Sequence, residues 1–123
     1  MIVGIGADLV QIDRFERWQA VSGLPERYFD LRELADARSG GHAVSSLAAR
    51  FAAKEAFGKA LGAGLRGIVL KDIMVVTREK GRPELVVSGT ALAALQKSGA
   101  SRVLVSLSHE RDMALAMVVL EAL

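Results

Sequence analysis

The stretch A-R-F-A-A-K-E-A-F-G-K-A-L-G, residues 49–62, decides how this chain is read. Leu47 and Phe51, then Phe57 and Leu61, recur at four-residue spacing, which predicts an amphipathic helix. Gly62 stands where a C-terminal cap belongs. Packing accounts for the Ala, Leu and Phe residues but not for Arg50, Lys54, Glu55 and Lys59. Glu55 and Lys59 lie four apart and share a face. That spacing suits a surface ion pair. It equally suits a carboxylate set among cations, ready for a metal ion and the phosphates it neutralises.

Outward from this helix, Ser45 or Ser46 is the expected N-cap and Leu61 the approximate end. Upstream, Ile2 to Val10 alternates as a strand, with Asp8 near its end and Gly4 and Gly6 open to close backbone approach. A helix is expected over Gln11 to Val21, stopped by Ser22-Gly23-Leu24-Pro25, and another over Tyr28 to Ala37. Downstream, strands are expected over Lys71 to Thr77 and Glu84 to Ser88 around the turn R-E-K-G-R-P, then a helix over Thr90 to Lys97. The last strands, Arg102 to Ser108 and Met113 to Glu121, should flank a turn at His109-Glu110-Arg111-Asp112. The final strand is apolar on both faces, so one face should meet the helices and the other a neighbouring subunit.

The chain has 123 residues, 51% of them hydrophobic, enough for one α+β domain with a single core. No apolar run approaches the ~20 residues of a membrane span. No basic n-region precedes the short apolar start, so neither a signal peptide nor a membrane anchor is expected. The apolar surplus points instead to subunit contacts. Cysteine is absent, which excludes disulfides and thiolate sites and fits a cytoplasmic protein. A net charge of +2 and few aromatic residues argue against nucleic-acid binding.

Three polar elements end apolar segments: Asp8, the Arg50/Lys54/Glu55/Lys59 group, and Ser106-Leu107-Ser108-His109. Asp8 and Glu55 together offer two hard oxygen ligands of the kind Mg²⁺ takes. Asp8 would otherwise be a turn or cap residue. Lys59 suits a phosphate oxygen on which charge develops. His109 is either a proton-transfer or phosphate group or a plain turn residue. Gly81-Arg82-Pro83 offers a guanidinium on a tight turn, or simply closes a hairpin. Arg14, Arg17 and Trp18 share one helix face, which suits an acidic helical partner unless Trp18 is tucked into the core. No nucleophile elbow, Walker loop or dinucleotide fingerprint is present.

Taken in series, G-I-G-A-D-L-V-x-I-x-R (4–14), R-F-A-A-K-E-A-F-x-K-A-L-G (50–62), Lys71-Asp72-Ile73, Gly81-Arg82-Pro83 and V-S-L-S-H-E (105–110) resemble the holo-acyl-carrier-protein synthases. These are small trimeric phosphopantetheinyl transferases. The resemblance implies one domain over residues 1–123, a mainly antiparallel sheet packed against a long central helix. It implies transfer of the 4′-phosphopantetheine arm of coenzyme A to a serine of apo-acyl carrier protein, with Mg²⁺ held by Asp8 and Glu55. Glu55, Lys59 and His109 would be catalytic, and Glu55 the first choice to take the serine proton. Arg50, Lys54, Gly81, Arg82, Pro83, Ser108 and His109 would line the coenzyme A cleft. Arg14, with Arg17 and Trp18 beside it, would meet the acidic carrier helix. A homotrimer with sites at subunit interfaces would account for the doubly apolar last strand. The competing expectations are a coenzyme A- or nucleotide-binding oligomer without turnover, and a purely structural oligomer. Gly58 stands where the family has Ala or Ser, at a helical cost of up to ~1 kcal/mol.

Overall fold

The computed structural model describes residues 1–123. Its elements run β1 (Ile2–Gln11), α1 (Asp13–Gln19), α2 (Leu24–Tyr28), α3 (Leu31–Ser39), α4 (Ala43–Leu61), β2 (Ile73–Thr77), β3 (Pro83–Val87), α5 (Gly89–Lys97), β4 (Arg102–Glu110) and β5 (Met113–Glu121). The strands form an antiparallel sheet ordered β1-β5-β4 and a separate antiparallel pair, β2-β3. The expected class, helices with an antiparallel sheet around one long helix, is what the chain adopts.

Helix α4 is not the half-exposed helix its periodicity suggests. Leu47, Ala48, Ala49, Ala52, Ala53, Ala56, Phe57 and Ala60 are all buried, and they surround the helix axis. The three-stranded sheet covers one side, while α1, α3 and β2 cover the other. Only Lys59 of the helix is exposed, which leaves almost no solvent face for ordinary polar residues. Gly62 ends it in the left-handed conformation (φ 84°), as the sequence predicts. The helix begins at Ala43, two residues before the expected caps, and Ser45 Oγ instead donates to the His42 carbonyl.

Glycines set how closely sheet and helix approach. A Cβ at Gly4 would stand 2.0 Å from the Ala60 carbonyl oxygen, and one at Gly6 2.1 Å from that of Ala56. Small Ala114 and Ala116 on β5 extend this flat contact. Gly58 has its own tight neighbour. The loop after α4 folds back, with Gly64 N–H donating to the Gly58 carbonyl at 3.0 Å. A Cβ there would lie 2.9 Å from the Gly64 carbonyl carbon, so Ala would not recover the propensity lost to Gly.

Other boundaries also differ from expectation: the first helix is Asp13–Gln19, with Gln11 still in β1, and β2 starts at Ile73 rather than Lys71. Tyr28 ends one helix, which starts at Leu24 inside the stretch expected to be a stop, and the helix expected over Tyr28 to Ala37 itself begins only at Leu31; Phe29 between the two is extended. Asp30 caps the second: its Oδ1 accepts from Arg32 N–H at 2.9 Å, and Glu33 Oε1 accepts from Asp30 N–H at 3.2 Å. The β4–β5 turn shrinks to Arg111-Asp112, which leaves His109 inside the strand opposite Ala114. Register then sorts β5. Ala114, Ala116, Val118 and Leu120 face α4, while Leu115 and Met117 lie on the other face at 39% and 43% exposure, beside exposed Ile5 and Leu9 of β1.

Candidate active site

The face of the sheet against α4 brings separate segments together. Asp8 of β1 and His109 of β4 flank β5, opposite Ala116 and Ala114 respectively, so both point to the helix side. Helix α4 runs beneath them. With a rise of about 1.5 Å per residue, Arg50 and Lys59 stand about 13 Å apart along it.

At one end, Lys59 Nζ donates to Asp8 Oδ1 at 2.8 Å. The Glu55–Lys59 surface pair allowed by their spacing is not formed. Glu55 joins none of the salt bridges in the chain. Burial, and then the charge of Asp8, pushes the Glu55 carboxyl above its ordinary value; Lys59 and Arg14 pull it back. The Lys59 ammonium is held above its usual range by its hydrogen bond to Asp8. Two carboxylates that repel each other, with a lysine beside them, form an oxygen-donor site suited to a hard divalent cation.

At the other end a cleft of about 240 Å³ is lined by His42, Ser45, Ser46, Arg50, Thr77, Gly81, Pro83 and His109, with Ala49, Val75 and Leu107 as its apolar floor. Arg50 is its anchored cation. Its guanidinium donates to the Val75 carbonyl, to Thr77 Oγ1 at 3.1 Å and to Ser46 Oγ at 3.2 Å. The Gly81–Pro83 wall is a tight turn with positive φ at Lys80 (62°) and Gly81 (73°). A second hollow beside it, shared through His42, Ser46, Arg50 and Thr77, extends toward Asp36, Ser39 and Gly40.

Not every residue expected here is present. Lys54 is the clearest correction: its side chain is wholly buried, and its ammonium donates to Glu33 Oε1 at 2.8 Å, to the Leu70 carbonyl at 3.0 Å and to the Ile73 carbonyl. All three of its donors are used inside the protein, so it has none left for coenzyme A. Ser108 alternates with His109 and falls on the Leu115 face of the sheet, away from the cleft. Arg82 opens onto the neighbouring groove with Lys80 and Arg102, while only Gly81 and Pro83 of its turn reach the cleft.

Trp18 is also not a free docking residue. Its ring lies 5.0 Å from Phe15, 5.2 Å from Tyr28, 5.9 Å from Phe29 and 5.8 Å from Phe51, so it is a half-buried packing group. Arg14 and Arg17 stay exposed, and the Arg14 guanidinium sits 6.0 Å above the Phe51 ring. Sequence reasoning missed Ser45, Ser46 and Thr77 as cleft residues, and Glu33 as the partner of Lys54. Small hydroxyl residues carry no distinctive sequence signal. Glu33 had one, the D-x-x-E capping box, but it pointed only to a helix start.

The family model of the 4′-phosphopantetheinyl transferase superfamily matches residues 4–118. The holo-[acyl-carrier-protein] synthase of Treponema denticola is 50% identical over 124 residues, covering 98% of this chain and 99% of the relative. The crystal structure of holo-[acyl-carrier-protein] synthase from Neisseria meningitidis superposes with a TM-score of 0.88 at 40% identity, covering 98% of this chain and 99% of that one. That of Bacillus anthracis, in complex with CoA (3′,5′-ADP), has a TM-score of 0.81 at 34% identity, covering 99% of this chain and 98% of that one.

Proposed function

The chain belongs to the 4′-phosphopantetheinyl transferase superfamily, and we propose that residues 1–123 form one transferase domain acting as a holo-acyl-carrier-protein synthase. It moves the 4′-phosphopantetheine arm of coenzyme A onto a serine of apo-acyl carrier protein. The serine oxygen attacks the β-phosphorus, the bond from that phosphorus to the bridging oxygen breaks, and adenosine 3′,5′-bisphosphate leaves. The observation that carries this reading is the Asp8–Glu55–Lys59 cluster, where Lys59 Nζ meets Asp8 Oδ1 at 2.8 Å beside an unpaired Glu55; the Arg50–His109 cleft lies farther along the same helix. One end suits the adenosine bisphosphate and the other the pyrophosphate.

Lys59 meets the charge that develops on the leaving oxygen, held in place by Asp8. Glu55, without a salt-bridge partner and raised in pKa, takes the serine proton in preference to His109, which lines the cleft farther along. Asp8 and Glu55 would hold Mg²⁺. That ion supplies positive charge against the pyrophosphate when bound. Arg50 with the Gly81 and Pro83 wall orients the nucleotide end. Exposed Arg14 and Arg17 supply the positive face for an acidic carrier helix.

The apolar face formed by Ile5, Leu9, Leu115 and Met117 suits burial between copies, and we assign it to a homotrimer with active sites at the subunit boundaries. Ser108 and Arg82, outside their own cleft, would then lie toward a neighbouring copy. No helix is long and apolar enough to cross a membrane, and cysteine is absent; both fit a cytoplasmic enzyme serving fatty acid biosynthesis.

The test is intact-mass spectrometry of apo-acyl carrier protein incubated with this protein, coenzyme A and Mg²⁺, with an EDTA control. The expected result is a gain of one phosphopantetheine mass that EDTA abolishes. Tight coenzyme A binding with no mass gain on several carrier proteins would instead mean a binding protein without turnover.

A further inference from the structure

Strand β2 pairs with β3 on one side only, which leaves its other edge without a strand. Side chains take that place in strict alternation. The Ile73 carbonyl accepts from Lys54, and the Val75 N–H donates to Glu33 Oε2 at 3.0 Å. The Val75 carbonyl accepts from Arg50, and the Thr77 N–H donates to Asp36 Oδ2 at 3.5 Å. Carboxylates of α3, one turn apart, serve the N–H groups; cations of α4, one turn apart, serve the carbonyls. Glu33 and Lys54, both fully buried, join the two rows at 2.8 Å.

An edge strand left bare is open to slippage and to pairing with other chains. Here a slip of one residue would turn the buried Ile73 and Val75 side chains to the opposite face, and the four side-chain bonds hold the strand against it. Such a buried pair adds little net stability over apolar residues of equal volume, but its directional bonds allow one arrangement. That arrangement governs the cleft, because β2 and β3 carry the turn whose Gly81 and Pro83 form one wall.

We propose that Glu33 and Lys54 are positioning residues of the cleft: together they stand in for a missing strand on β2 and hold the Gly81–Pro83 wall against Arg50 and His109. The proposal rests on the reading of that cleft as the coenzyme A site. The paired variant Glu33→Leu with Lys54→Met removes both charges at similar volume and should fold. Amide exchange over residues 73–87 should then quicken by about tenfold while β1, β4 and β5 keep their protection. The KM for coenzyme A should rise about tenfold, with kcat reduced less and the KM for carrier protein within about twofold. Lys54→Arg, which keeps the cation, should restore much of the loss.

A folded double variant with unchanged hairpin exchange and unchanged KM for coenzyme A would overturn the proposal. So would uniform loosening of the whole molecule with an unchanged KM, since that marks a merely structural pair. Should the double variant not fold, Glu33→Gln is put through the same two measurements, with smaller shifts expected and the same overturning result. Hydrogen exchange needs no coenzyme A. An unmodified protein that binds none would therefore sink the functional reading while the exchange data still test the edge ladder.

Discussion

Two lysines five residues apart on α4 have opposite fates. Lys54 has no exposure and spends every donor on Glu33 and backbone carbonyls, whereas Lys59 is 55% exposed and reaches across to Asp8. Desolvation drives the Lys54 ammonium below its ordinary pKa, against the pull of Glu33. The hydrogen bond to Asp8 moves Lys59 the other way. The same residue type on the same helix becomes part of the scaffold on one flank and part of the candidate chemistry on the other. What separates them is the neighbour each flank packs against: α3 and β2 close over Lys54, while Lys59 lies at the rim of the β1 contact.

The largest effect that sharpens this contrast is Lys54→Ala. It leaves Glu33 charged and unpaired in the core and should cost about 3–5 kcal/mol by urea unfolding. A loss under about 1 kcal/mol would mean that Glu33 finds water, and the contrast would dissolve. Next, Lys59→Met should leave the unfolding transition in place while lowering kcat by about 10²–10³-fold. Unfolding without a specific kcat loss would reverse the two assignments.

Gly6→Ala should fall between the two kinds of outcome. Its new Cβ meets the Ala56 carbonyl oxygen, so stability should drop by about 1–3 kcal/mol. Turnover per folded molecule should drop with it, because β1 carries Asp8 away from Lys59. Normal kcat in the folded fraction would show that the strand–helix spacing does not set that pair. Arg14→Glu, a surface change, should raise the KM for carrier protein about tenfold and leave the KM for coenzyme A within about twofold. Equal changes in both would contradict a docking role for that face.

The smallest effect concerns an exposed carboxylate, the counterpart of buried Glu33. Asp72 accepts from Thr90 Oγ1 at 2.6 Å and from Thr90 N–H at 2.8 Å, and these bonds hold its carboxyl below the ordinary 3.8. A carboxylate depressed by folding stabilises the protein above its unfolded pKa and loses that contribution as pH falls through the lowered value. Asp72→Asn should therefore cost no more than about 0.5 kcal/mol at neutral pH, after solvent screening, and still less well below pH 3.8. Thermal melts of both proteins across that range check the sign. A gap that widened in acid would refute it.

Much of this was legible in the residues themselves. The periodicity of residues 47–61 and the left-handed Gly62 marked the long helix, and alternation marked the strands. Gly4 and Gly6 announced a close approach because only glycine lacks the Cβ that would block one. Asp8, Glu55 and Lys59 stood out because apolar packing had no use for them, and the fold gathers them. Boundaries were less legible: Phe29 looks like any helical aromatic, and its break depends on Asp30 capping the next helix.

What the sequence could not decide was which polar residues face inward. Arg50, Lys54, Glu55 and Lys59 are all charged candidates along one helix, and local spacing does not tell which of them turn inward. Burial ranks them, and burial arises from elements distant in the chain: Glu33 closes over Lys54 from 21 positions upstream, and Asp8 meets Lys59 from 51. Desolvation and partner geometry are properties of the assembled core, so the division between scaffold and site on α4 came into being only when the tertiary structure formed.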